Sequence, residues 1–96
     1  MNPSSRIQKK ARKAAQKDLA IKAFPLSNPS LESLFEFVEI SVGENGCDHS
    51  RRFTESWLAS NHKSPEPVLR WLESTGGFCD CEVICNSMQH WEDNRE

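Results

Sequence analysis

Two short clusters of metal-ligating side chains constrain this chain more than anything else in it. Cys47-Asp48-His49 and Cys79-Asp80-Cys81 each place two such residues one position apart, and they start 32 residues apart in a chain of only 96. Thiolate and imidazole are the usual ligands of structural zinc, which takes four in a tetrahedron with Zn–S near ~2.3 Å. One ion can staple both clusters only if the backbone bends at each. Gly46 and Gly76-Gly77 stand just ahead of them and permit such bends. The expected ligand set is Cys47, His49, Cys79 and Cys81. The spacing is not the Cys-x2-Cys of a zinc ribbon or finger, so the pattern is less specific than those.

The composition gives a reason for a staple. Apolar residues make up 36%, and even with the four glycines added this falls short of the ~45–50% of ordinary domains. The shortfall lies in the part that holds the cysteines. Residues 1–22 carry seven basic side chains against Asp18 alone, whereas residues 23–96 carry five basic and thirteen acidic. The net charge of −2 therefore averages a strongly basic arm and an acidic domain. The organisation read from this is a basic arm over 1–24, a compact domain over 26–92 and a charged tail over 93–96.

The arm is rich in Ala, Lys, Arg and Gln, which are good helix formers. Ile7, Ala11 and Ala14 recur at i, i+4, i+7, a face too small to bury much, so the predicted helix needs a partner to be stable. Arg6, Lys9, Lys10, Arg12, Lys13 and Lys17 form a candidate contact for a polyanion: nucleic acid, an acidic protein or an anionic membrane surface. No aromatic residue lies between them for base stacking. A solvated basic helix is the plain alternative.

Past the Pro25–Ser30 break, four helices are expected. Asn28 is the expected cap and Pro29 suits a first turn. Leu31, Leu34, Phe35 and Val38 form the apolar stripe of a helix that should end near Ser41. Ser50 or Asp48 should cap a helix carrying Phe53, Trp57 and Leu58. Ser64-Pro65 opens another, with Val68, Leu69, Trp71 and Leu72 inward and Gly76 at its end. After Gly77 the signal divides. Residues 78–83 alternate weakly like a strand, while Cys81, Ile84, Cys85, Met88 and Trp91 follow helical spacing. Length favours the helix, so the expected fold is mainly α, with a short strand pair as the alternative.

Each cysteine pair precedes an expected helix N-terminus, where unpaired N–H groups and the helix dipole favour thiolate. Cys85 reads as a core position on the last helix and is the replacement ligand, one turn from Cys81. Asp48 and Asp80 read equally as outer acceptors orienting ligands or as helix caps. Among the remaining side chains, His62 and His90 should be exposed, Trp57 and Trp71 buried, and Trp91 at least partly exposed.

Cys47-Asp48-His49-Ser50 and Gly76-Gly77-Phe78-Cys79-Asp80-Cys81-Glu82-Val83 resemble the signature of a family of small bacterial proteins, the domain of unknown function numbered 2695. The frame around them is similar too: the helix over 31–42, Phe53-Thr54-Glu55-Ser56-Trp57-Leu58, and Val68-Leu69-Arg70-Trp71-Leu72-Glu73. The resemblance implies that Cys47, His49, Cys79 and Cys81 are the motif positions. Cys85 departs from the family pattern. The family carries no activity to transfer.

No apolar run reaches the ~20 residues of a membrane span, and no secretory apolar segment follows the basic N-terminus, so a cytoplasmic protein is expected. Free thiols suit that compartment. The expected function is a small zinc-stabilised binding module without catalytic activity. A zinc enzyme is one alternative, although His-Glu-x2-His and the deaminase pattern are missing from the sequence. A thiol-redox protein using Cys79 and Cys81 is the other, although Cys-x-Cys is strained as a disulfide.

Overall fold

A computed structural model describes residues 17–95 of the chain. The expected contact residues Arg6, Lys9, Lys10, Arg12 and Lys13 lie outside that range, as does most of the expected arm helix. Within it, residues 17–22 are helical and lead through a turn to four helices: α1 (Asn28–Asn45), α2 (Arg52–Ser60), α3 (Pro65–Ser74) and α4. The last is made of three consecutive segments, Asp80–Glu82, Val83–Met88 and Gln89–Asn94, the middle one wound as a π-helix. The fold is mainly α, and no strand occurs among the described residues.

The apolar stripes meet in one core. Leu31, Leu34, Phe35 and Val38 of α1 face Trp57 and Leu58 of α2, Val68, Trp71 and Leu72 of α3, and Val83 and Trp91 of α4. Phe35 contacts both Trp71 and Trp91, with ring centroids 6.4 and 5.4 Å apart. Phe24, ahead of α1, meets Trp71 edge-on with ring centroids 5.8 Å apart and ties the chain before α1 to the core. Arg51 ties the start of α2 to α3 through Glu73 at 3.1 Å and the Leu69 carbonyl at 3.4 Å.

The helix boundaries follow from local chemistry. Ser27, rather than Asn28, caps α1, its hydroxyl accepting from the Ser30 N–H at 3.4 Å. Asn28 is engaged elsewhere: its side-chain oxygen accepts from Trp91 Nε1 at 3.0 Å. The helix runs past Ser41 to Asn45. It stops where Gly46 turns to φ 76°, a left-handed conformation that costs glycine little.

The last helix departs most from expectation. Its buried face is Asp80, Val83, Ser87 and Trp91; at all but Trp91 it is one residue out of step with the expected Cys81, Ile84 and Met88. Cys85, expected in the core, is exposed. Trp91, expected at least partly exposed, is 3% exposed. The reason is polar pairing, which hydrophobic periodicity does not register. Ser87 Oγ lies 2.6 Å from Thr75 Oγ1 and donates to the Leu72 carbonyl at 3.4 Å, so its burial leaves nothing unpaired. Gly77 makes this close approach possible, since a Cβ there would sit 2.5 Å from Ser87 Oγ. His62 is exposed as expected, whereas His90 is half-buried with its ring edge toward Trp71 at 6.1 Å.

Candidate metal centre

The N-terminal ends of α2 and α4 meet, and the cysteines gather where they do. Asp80, the first residue of α4, is 1% exposed and sits under the first turn of α2. Its Oδ2 accepts from the Phe53 N–H at 3.0 Å, and its Oδ1 accepts from the Thr54 N–H at 3.1 Å and the Thr54 hydroxyl at 2.8 Å. It thus satisfies two of the N–H groups that a helix start leaves unpaired, from outside that helix. In return the Asp80 N–H donates to the Ser50 carbonyl at 2.9 Å. Of the two roles open to Asp80, the structure displays capping, and the helix it caps is α2 rather than its own.

This tie sets Cys79 and Cys81, which flank Asp80, beside the loop that leads into α2. One ligand atom each from Cys47, Cys79 and Cys81 lies within 4.8 Å of the others. The Cys79 and Cys81 sulfurs are 3.6 Å apart. Sulfurs bound to one tetrahedral zinc at ~2.3 Å stand about 3.8 Å apart, far beyond a disulfide's ~2.05 Å. The spacing and the soft donor set therefore fit a thiophilic cation.

The remaining candidates stand apart from that group. The backbone N–H of His49 donates to Cys47 Sγ at 3.4 Å. The His49 side chain is exposed, its backbone is left-handed at φ 68°, and its ring is not in the three-sulfur group. Asp48 organises the loop, accepting from the Ser50 N–H at 3.0 Å and pairing with Arg52 at 3.6 Å. The Ser50 hydroxyl, its N–H and Arg52 hold the Asp48 carboxyl below its ordinary range. Cys85 is exposed and does not join the group. Lys17 is exposed on the helical segment 17–22.

Hydrogen bonding differentiates the thiols. The backbone N–H of Cys81, helped by that of His49, pulls Cys47 below the usual thiol value against the opposing effect of burial. Cys81 is pushed up to about 12, first by its side-chain hydrogen bond with Cys79 and then by that with Cys47. A cation among the three sulfurs would replace the protons they share. N–H groups aimed at a sulfur stabilise it as a thiolate ligand in the same way.

The sequence did not single out Thr54, whose N–H and hydroxyl anchor Asp80. Its only signal is a polar residue one position past the leading apolar residue of α2, at a site that turns out to be fully buried.

A small helical domain with three converging cysteines is the class this architecture defines. The chain belongs to the family described as a protein of unknown function, DUF2695, whose profile matches residues 34–86 and so spans Cys47, Cys79 and Cys81. It is similar to uncharacterized proteins of Mycobacterium tuberculosis, Rv2271 in strain H37Rv and MT2332 in strain CDC 1551, and to Mb2294 of Mycobacterium bovis. Each is 31% identical over 81 residues, covering 84% of this chain and 82% of the relative. No solved structure matches.

Proposed function

We propose that the chain is a small zinc-stabilised binding module of the cytoplasm, without catalytic activity. In this reading Cys47, Cys79 and Cys81 hold the ion, and His49, two residues from Cys47 on the same loop, turns in to complete the tetrahedron. Four protein ligands leave no place for an activated water, which a hydrolytic zinc requires. The observation that carries the reading is the convergence of three sulfurs from two segments 32 residues apart, where two helix N-termini meet. Zinc there ties the loop before α2 to the start of α4 and supplies stability that the thin apolar content does not.

The test is metal analysis of the full chain purified without added metal, followed by chelation. About one zinc per chain is expected, with loss of helical signal or a large fall in melting temperature when it is removed. X-ray absorption should report three sulfurs and one nitrogen. Metal-free protein with the same melting temperature would overturn the reading. If that protein also exchanged disulfides through Cys79 and Cys81, whose sulfurs stand 3.6 Å apart, the redox alternative would take its place.

A further inference from the structure

On the side of the domain where α1 and α4 lie together, a groove combines an apolar floor with an acidic rim. Ile40, 54% exposed, and Met88 line it together with the edges of Phe35 and Trp91. Glu32, Glu36 and Glu39 line it from α1, and Glu92 from α4. None of the four glutamates takes part in an ion pair among the described residues. One cation is already there: the Arg95 guanidinium, from the chain's own C-terminal segment, stacks on the Trp91 ring at 4.2 Å. The groove is thus chemically suited to basic side chains on an apolar backing.

The sequence contains a segment of matching chemistry. Glu32, Glu36 and Glu39 are spaced i, i+4, i+7, a line along one helix face. Arg6, Lys10 and Lys13 repeat that spacing, and Lys17, Lys13 and Lys10 repeat it in the reverse direction. On the expected arm helix, the small apolar face of Ile7, Ala11 and Ala14 lies alongside these cations. Two helices with the same charge interval match turn for turn.

The described part of the arm stands apart from this groove. None of residues 17–22 lines the groove, and Leu19 among them is 67% exposed. Phe24, seated on Trp71, holds the chain that follows this segment against the core. We infer that the groove receives residues 6–17 of a second copy of this chain, and that the exchange is reciprocal. Each copy then gives one arm and takes one, a closed two-fold arrangement. The acidic partner that the basic arm calls for is the acidic domain of its own kind. The contact is small and charge-driven, so it should be weak and sensitive to salt.

The experiment is sedimentation velocity of the full chain at high micromolar concentration, from low to high salt. A dimer is expected near ~50 mM salt, dissociating toward ~500 mM as the charges are screened. Glu36→Lys with Glu39→Lys, and separately Lys10→Glu with Lys13→Glu, should each weaken dimerisation about tenfold or more. These glutamates are exposed, and circular dichroism checks that both variants fold. Mixing the two variants should restore a dimer, since each then meets an arm or groove of opposite charge. A monomer at every salt concentration overturns the inference, including one whose arm folds back on its own domain. So does a dimer indifferent to both variants, or a mixture that stays monomeric.

Discussion

Asp80 and Thr54 are fully enclosed, and a single carboxylate oxygen of Asp80 accepts from both the backbone N–H and the hydroxyl of Thr54, at 3.1 and 2.8 Å. Through this pair α4 caps α2. The cysteines on either side of Asp80 then have no choice but to lie near Cys47, which leads into the capped helix. The meeting of the three cysteines is a consequence of a helix cap made between segments far apart in the chain.

Asp80→Ala should therefore do two kinds of harm. It leaves the Phe53 and Thr54 N–H groups and the Thr54 hydroxyl without their acceptor in a buried setting, a loss of about 2–4 kcal/mol by denaturant titration. It should also weaken metal binding by releasing Cys79 and Cys81 from the α2 end. Asp80→Asn keeps one accepting oxygen and should lose less of both. If Asp80→Ala matches the parent in stability and metal affinity, the cap does not position the site.

Zinc affinity should fall as pH falls, because the ion needs thiolates. Cys81 in the metal-free chain is pushed up to about 12, so it still carries its proton at neutral pH and must release it on loading. The sign is fixed: lower pH strengthens the competing proton and weakens the metal across the whole range below that value. Calorimetry in buffers of different ionisation enthalpy measures the protons released. A pH-independent affinity between about pH 6 and 9 would contradict thiolate ligation.

Gly77→Ala should destabilise the domain by about 1–3 kcal/mol. The added Cβ meets Ser87 Oγ at 2.5 Å, Val83 Cγ2 at 3.1 Å and the Leu72 carbonyl at 3.2 Å, and the carbonyl is backbone that cannot step aside. Combining it with Ser87→Gly, which removes the nearest clash, should recover part of the loss in thermal melts. A Gly77→Ala chain as stable as the parent would mean that α3 and α4 do not approach this closely.

Cys85 should alkylate first. It is exposed and apart from the other three thiols. Mass spectrometry after brief iodoacetamide treatment of the zinc-loaded chain should find one fast label at Cys85 and protection at Cys47, Cys79 and Cys81. Chelation should then open all four. Equal labelling of all four before chelation would count against a bound metal.

Three of the four helices were legible in the sequence because their stripes at Leu31–Val38, Phe53–Leu58 and Val68–Leu72 are made of large apolar residues at helical spacing. The three cysteines were legible because close pairs of metal-ligating side chains, Cys47 with His49 and Cys79 with Cys81, stand out. The face of α4 was not legible. Two of its four buried residues, Asp80 and Ser87, are polar, and only their partners on α2 and α3 make burial tolerable. That error put Cys85 in the expected core, whereas Trp91 was expected partly in solvent because the charged C-terminus is near, and its Asn28 hydrogen bond and Phe35 contact bury it.

The helical class, the division of charge and the candidate ligands follow from the amino-acid order alone, since each depends on local spacing and residue chemistry. Which of those ligands meet was decided by the tertiary structure. Cys47, Cys79 and Cys81 converge because Asp80 satisfies the N–H groups at the start of α2, while the His49 ring, on an exposed residue of the loop, stays outside the group. Hydrogen bonds between residues 26 and 27 positions apart carry no periodic signal, so they could be seen only once the helices were packed.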